Sequence, residues 1–379
     1  MFKEIHILIL LFVIVLDKNM VPEVHESFLL NNKPYSNSSL EVYAHELIRS
    51  EKEYLRDVGD FLLDWLDDSL YINLQTSGST GIPKLIRVKK EYMINSAKAT
   101  GIFFKMREGS SALLCLSANY IAGKMMLVRA MVLGWKLDIV EPKSNPLDKL
   151  YRQYDFCAMV PLQLDNSIHR LHLLKKLIVG GGAVPEYLIS LIQGISTKVY
   201  ETYGMTETVS HIAARRLNSK KKSIEECFFK TLPQVVISTD DRNCLEVKAP
   251  LLSDTLLVTN DIVEIVTHKK FIWKGRFDNV INSGGVKLFP EQIEKKLQLV
   301  IRQRFFVSSI PDSLLGNKLI LIVEDITGTL NQDLFTEKIT QLSSLGKFER
   351  PKQIYFVNKF IETRSGKIIR EDSKQLALQ

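Results

Sequence analysis

The chain has 379 residues, with 50 Lys and Arg against 43 Asp and Glu for a formal charge of +7, and 45% apolar and 25% charged residues. These values fit a folded chain of two domains and exclude a fibrous repeat or a disordered polymer. The positive excess suits anionic small molecules, and since its densest run, Lys220 to Lys222, has no aromatic residue interleaved, nucleic acid is not an expected partner.

At the start, Ile5 to Leu16 is apolar apart from His6. A bilayer takes about 20 such residues, so no stable membrane insertion is expected. Three readings of residues 1–19 stay open: a dispensable extension with Met20 as the effective start, a signal or membrane element, or a packed strand. From Leu40 to Asp68 apolar residues recur at helical spacing with Phe61, Leu62 and Trp65 on one face, and Tyr71 to Gln75 reads as a strand. A polar, glycine-bearing loop follows, then a helix from near Lys90.

Strands at Ala112–Leu116, Lys136–Val140, Phe156–Val160 and Leu177–Val179, with a helix over Lys124–Leu133, predict an α/β fold with parallel sheets. Ligands bind such sheets at the carboxyl ends of the strands. Past Lys230 the strand-like runs Val235–Ser238, Leu245–Val247, Leu256–Thr259 and Val263–Val266 predict a small β subdomain. Beyond Asp278 a helix (Glu291–Leu299), two strands (Phe305–Ser309, Leu319–Val323), a helix (Asn331–Leu342) and a strand (Gln353–Val357) suffice for a small α+β unit. The expected division is therefore 20–277 and 278–379. Cys115, Cys157, Cys227 and Cys244 lie far apart, which argues against zinc and for free thiols in a reducing compartment.

Four segments carry chemistry. Thr76-Ser77-Gly78-Ser79-Thr80-Gly81-Ile82-Pro83-Lys84 follows a strand and combines hydroxyls, glycines and a cation, which suits a polyphosphate; it lacks the G-K-[ST] of a Walker A loop. Gly180-Gly181-Gly182-Ala183 precedes Tyr200 to Thr208, where an aromatic ring, threonine hydroxyls and a carboxylate can stack on a base, hold phosphate oxygens and bind Mg²⁺. Gly275-Arg276-Phe277-Asp278 leads into the turn Asn282 to Lys287 and a helix opening at Pro290. Thr363 to Arg370 places Lys367 on a short glycine-containing loop, where a point charge can meet a reacting group.

In order and spacing these segments resemble the adenylate-forming superfamily of acyl-CoA synthetases, adenylation domains and luciferases, from about Tyr71 to Arg370, nearly four-fifths of the chain. The resemblance implies ATP, Mg²⁺ and coenzyme A as co-substrates and cofactor, and a small mobile C-terminal domain. It implies that Thr76, Ser77, Gly78, Ser79, Thr80, Gly81 and Lys84 hold phosphates and that Gly181, Gly182 and Ala183 wall the adenine. Tyr203 would stack on the base with Gly204 beside it in the nucleotide site, Thr206 would touch phosphate and Glu207 would bind Mg²⁺. Asp261 and Arg276 would grip the ribose, Asp278 would be the hinge, Gly285 would line the thiol tunnel and Lys367 would serve adenylation. The stretch ahead of Thr76 is shorter than is usual there, which leaves substrate range in doubt.

The segments Asn119 to Arg129 and Val199 to His211 look most like the o-succinylbenzoate–CoA ligase subfamily of menaquinone biosynthesis. Its acid has a second carboxylate, which Lys124, Arg129 or His211 could neutralise, with Tyr120 where a histidine often sits. A cytoplasmic acid–thiol ligase acting on a small carboxylic acid is the expectation. Another acyl-CoA ligase, a carrier-loading adenylation enzyme and a silent nucleotide-binding homologue remain rivals.

Overall fold

The computed structural model describes residues 22–76, 84–219, 228–363 and 368–379. Strands β1 (Leu29–Leu30) and β2 (Lys33–Pro34) form a short antiparallel pair at the start. The single helical stretch expected over Leu40–Asp68 is two helices, α1 (Asn37–Leu47) and α2 (Glu53–Leu66), parted by a turn at Arg49 to Lys52. Ser36 starts the first with a reciprocal cap: its hydroxyl accepts the Ser39 N–H, and the Ser39 hydroxyl accepts the Ser36 N–H at 2.8 Å. Next, β3 (Tyr71–Thr76) and β4 (Lys84–Lys89) pair antiparallel as a separate ribbon, with the segment expected to hold phosphate between them.

Helix α3 (Lys90–Phe103) leads to β5 (Ser111–Leu114), α4 (Ile121–Leu133), β6 (Lys136–Ile139), β7 (Tyr154–Met159), α5 (Pro161–Ser167), β8 (Leu174–Val179), α6 (Glu186–Leu191) and β9 (Lys198–Gly204). The strands β1, β6, β5, β7, β8 and β9 lie side by side and parallel. Their residues alternate between two apolar layers: Phe156 and Ala158 join the layer holding Trp65 and Met126, while Cys157 and Met159 join the layer holding Leu164 and Leu188. Both faces are covered, as a parallel sheet requires. Helix α4 is buried almost all round, and Arg129 lies within it among Met125, Met126, Val128 and Ala130.

The strands expected as a small β subdomain extend this sheet. After β9 come β10 (His211–Arg216), β11 (Phe229–Thr231), β12 (Val236–Thr239), β13 (Cys244–Lys248), β14 (Leu257–Thr267) and β15 (Lys270–Arg276). They continue it antiparallel, giving thirteen strands in the order β12-β13-β14-β15-β11-β10-β9-β8-β7-β5-β6-β1-β2. The runs at 256–259 and 263–266, expected as two strands, are the single strand β14.

Beyond Asp278 the hairpin β16 (Ile281–Ser283) and β17 (Val286–Leu288) precedes α7 (Pro290–Leu297), β18 (Phe305–Asp312), β19 (Gly316–Glu324), α8 (Gln332–Gln341), β20 (Gln353–Val357) and α9 (Arg370–Ala377). Strands β18, β19 and β20 form a sheet of their own, over an apolar cluster that includes Ile281, Ile293, Leu297 and Leu321. Among the described residues no helix is long and apolar enough to cross a membrane, and Cys115, Cys157 and Cys244 are free.

Candidate nucleotide and acid site

The carboxyl ends of β8 and β9 bring the glycine segment beside the tyrosine segment. Gly181 has a φ of 82°, in the left-handed region, and Gly181, Gly182 and Ala183 are exposed. Glu201, buried on β9, ties this loop down: its Oε1 accepts the Val184 N–H at 3.0 Å and its Oε2 accepts Arg215 Nε at 2.5 Å. The Thr202 hydroxyl adds a bond to the Val179 carbonyl at 3.1 Å.

At the end of β9 the chain turns sharply. A side chain at Gly204 would meet the Ser210 carbonyl at 2.5 Å, so the close approach of the two segments needs glycine. Thr206 and Glu207 sit on a one-turn helix, Thr206–Thr208, with Thr206 half-buried and Glu207 exposed. The turn ends on Val209 at φ 66° and ψ −48°, a strained conformation for a β-branched residue, closed by a Ser210 N–H bond to the Thr208 carbonyl at 2.7 Å.

Tyr203, Asp261 and Arg276 come together. Asp261 on β14 and Arg276 on β15 are register partners, with Arg276 Nη1 at 3.9 Å from the carboxylate. The Tyr203 hydroxyl donates to Asp261 Oδ2 at 2.6 Å and Trp273 Nε1 donates to Oδ1 at 3.1 Å. Burial and the Asp261 charge push the Tyr203 phenol well up, so it stays a donor. Each Asp261 oxygen thus accepts one bond and keeps a lone pair for another donor, which fits a pair of ribose hydroxyls. The Tyr203 ring lies 5.3 Å from Phe271 and 5.9 Å from Phe229, which together fix its plane. Trp273 belongs to none of the recognised motifs; its role becomes visible only when β15 pairs with β14.

Arg276 also reaches Asp278 at 3.3 Å, and Asn260 Nδ2 donates to the same carboxylate at 3.2 Å. Gly285, at φ 80° in the β16–β17 hairpin, faces open space. Thr76 ends β3 and Lys84 opens β4, with side chains outside the described residues, as are Ser77, Gly78, Ser79, Thr80, Gly81 and Lys367. For Mg²⁺, the described residues hold no group of three or more His, Cys, Asp or Glu placed to bind a metal ion. A metal at Glu207 would therefore take one carboxylate and complete its shell with phosphate oxygens and water, as Mg²⁺ commonly does.

The three cationic candidates part company. Lys124 turns to protein: its ammonium lies 4.9 Å over the Phe61 ring and is drawn by Asp64, Asp57 and Asp60 of α2, with burial lowering its pKa. Tyr120, at the start of α4, is 57% exposed. Arg129 is only 2% exposed, and no carboxylate among the described residues meets it. Its Nη2 donates to Ser210 Oγ at 2.6 Å, its Nε reaches Thr100 Oγ1 at 3.3 Å, and its Nη2 lies 3.4 Å from His211 Nδ1. Burial alone pulls the guanidinium down to about 9, which leaves it cationic at neutral pH. With donors on its Nδ1 side, neutral His211 carries its hydrogen on Nε2, which is buried without a partner.

The AMP-binding enzyme family matches residues 39–241, more than half of the chain. The chain belongs to that family. This AMP-binding enzyme is 25% identical over 335 residues to 2-succinylbenzoate--CoA ligase of Lactococcus lactis, covering 82% of this chain and 72% of the relative. It is 22% identical over 387 residues to the protein of that name from Bacillus cereus, covering 92% and 78%. An acyl-CoA synthetase (AMP-forming)/AMP-acid ligase II-like protein from Dyadobacter fermentans is 37% identical in its crystal structure, with TM-score 0.58 and 88% and 97% coverage. The fold is shared with o-succinylbenzoate CoA synthetase of Bacillus subtilis in complex with the acyl-adenylate intermediate, at 17% identity, TM-score 0.69, and 83% and 73% coverage.

Proposed function

We propose that this AMP-binding enzyme is an ATP-dependent acid–CoA ligase whose acid carries a second carboxylate, with 2-succinylbenzoate, the acid in its relatives' names, as the substrate of choice. The observation that carries the choice is Arg129, a buried cation flanked by a buried, partnerless His211 N–H. An unpaired buried charge costs several kcal/mol, so a carboxylate supplied by the substrate would be held strongly there. Lys124 instead has the negative charges of Asp64, Asp57 and Asp60 in its surroundings.

In the first half-reaction the other substrate carboxylate attacks the α-phosphorus of ATP and pyrophosphate leaves; in the second the CoA thiol attacks the acyl carbon and AMP leaves. Asp261, kept in place by Tyr203 and Trp273, and Arg276 hold the ribose. The Gly181–Ala183 loop forms the adenine wall and Thr206 contacts phosphate. Mg²⁺ held at Glu207 would neutralise phosphate charge. Lys367 is assigned to the adenylation step. Residues 20–277 form the adenylation domain and 278–379 the mobile domain, pivoting at Asp278 and presenting Gly285 to the thiol. A cytoplasmic location suits substrates of this kind.

The test is CoA-ester formation from 2-succinylbenzoate, benzoate and medium-chain fatty acids by wild type and Arg129→Met. Losing one partner of a buried charged hydrogen bond costs about 2–3 kcal/mol, so kcat/KM for the dicarboxylate should fall on the order of 10²-fold, with little change for benzoate. Wild-type preference for a monocarboxylate would overturn the assignment.

A further inference from the structure

The glycine and tyrosine segments lie at the carboxyl ends of β8 and β9. The amino ends of these strands, about 20 Å away at about 3.3 Å per residue, form a different surface. A cavity of about 420 Å³ there is lined by Gln153, Asp155, His172, Lys175, Lys176 and Lys198. A second, of about 440 Å³, shares Ser196 and Lys198 with it and extends to Arg216 and Asn218. Together they make one groove across the ends of four strands.

Its charges do not balance. Lys176 and Lys198 are direct cross-strand partners on β8 and β9, and like charges in that position destabilise a sheet. The Lys176 ammonium is half-buried and donates to the Phe104 carbonyl at 2.7 Å. Burial lowers its pKa and Lys198, Lys175 and Lys105 lower it further, while the Asp155 charge offsets part of this. The one acid in the lining, Asp155, is engaged by Lys175 at 2.8 Å and by the Ser111 N–H and hydroxyl. Among the described residues no ion pair reaches Lys176, Lys198 or Arg216, and Arg216 Nε is buried without an acceptor.

The floor is built rather than loose. Asn218, 2% exposed, accepts the Val199 N–H at 2.9 Å and donates to the Ile192 and Thr197 carbonyls at 3.1 and 2.8 Å. This fixes the loop from Gly194 to Thr197 against β9 and β10. A rigid concave floor beneath uncompensated cations is what a multiply charged oxyanion needs, because the charges are already gathered before it arrives.

We propose that this groove binds a phosphate-bearing polyanion, with Lys176, Lys198 and Arg216 as its charged contacts and His172 and Ser196 as further donors. The site is separate from the one that activates the acid. Two sources share this chemistry, a soluble polyphosphate and an anionic lipid headgroup, and the experiment has an arm for each. In the first, the full chain and Lys198→Glu/Arg216→Glu are titrated calorimetrically with inorganic tripolyphosphate. Because the nucleotide site also accepts phosphates, wild type should show two sites and the variant one. Acid-dependent pyrophosphate exchange should be the same in both. In the second arm, both proteins are sedimented with phosphatidylglycerol and with phosphatidylcholine vesicles, and retention by the anionic vesicles alone, lost in the variant, would identify the lipid as the source. Should the charge reversal prevent folding, Lys198→Gln/Arg216→Gln is used, with at least tenfold weaker binding expected. Identical titration and sedimentation of wild type and folded variant, or no second site in wild type together with no vesicle binding, would overturn the proposal.

Discussion

His211 is buried, and burial followed by the Arg129 charge hold its imidazole well below the ordinary histidine pKa. Folding therefore disfavours its proton. The contribution to stability is present above the unfolded pKa of about 6.5 and is lost as pH falls, because the unfolded chain binds the proton that the folded chain refuses. We expect wild type to lose roughly 1.4 kcal/mol per pH unit below that point through this residue, and His211→Gln to remove that slope. Urea midpoints at pH 7.5 and 5.5 measure it; equal acid sensitivity in both proteins would contradict a neutral His211. A bound carboxylate should reverse the trend by favouring the imidazolium. In the sequence Lys124, Arg129 and His211 are all open as partners of the second carboxylate, with Lys124 the favoured one. What separates them is Asp57, Asp60 and Asp64, which share one face of α2 at helical spacing and place negative charge near Lys124; that spacing is legible, but its direction towards α4 appears only after packing.

At the scale of elements, β14 shows where pattern reading fails. Asn260-Asp261 looks like a break between two apolar runs, yet the strand continues because Tyr203 and Trp273 satisfy the buried carboxylate. The polarity that hid the strand belongs to the site. Likewise Glu201 and Thr202 disguised β9, although both serve to anchor the glycine loop. The C-terminal strand at Gln353–Val357 and the helix opening at Pro290, by contrast, follow directly from apolar alternation and proline at the first turn. Helix α4 supplies a sharper test. A side chain on Gly123 would sit 2.2 Å from the Ser117 carbonyl, a backbone atom that cannot rotate away. Gly123→Ala should push the first turn of α4 outward and cost about 1–3 kcal/mol, and because Arg129 rides on the same helix, kcat/KM for a dicarboxylate should fall more than that for benzoate. Thermal unfolding and the acid panel read both; an unchanged melting temperature would show that the turn at Ser117 yields.

For the whole molecule, the α/β alternation and the order of motifs gave away the family, while the joining of the β-rich region to the main sheet did not show. That joining rests on β11, three residues long, which pairs with β10 on one side and β15 on the other. No local pattern reports a contact between segments some 40 residues apart. Among the described residues the same sheet ends on two edge strands, and one of them bears on how the protein behaves at high concentration. Its last strand, β2, is only Lys33 and Pro34, a charged residue and one with no N–H to offer, the combination that denies a neighbouring molecule a template for strand addition. Replacing both, as Lys33→Val/Pro34→Val, should leave catalysis intact but make light scattering rise with protein concentration, whereas wild type stays dispersed. Two residues at the rim would then govern colloidal behaviour, independently of anything the active centre does.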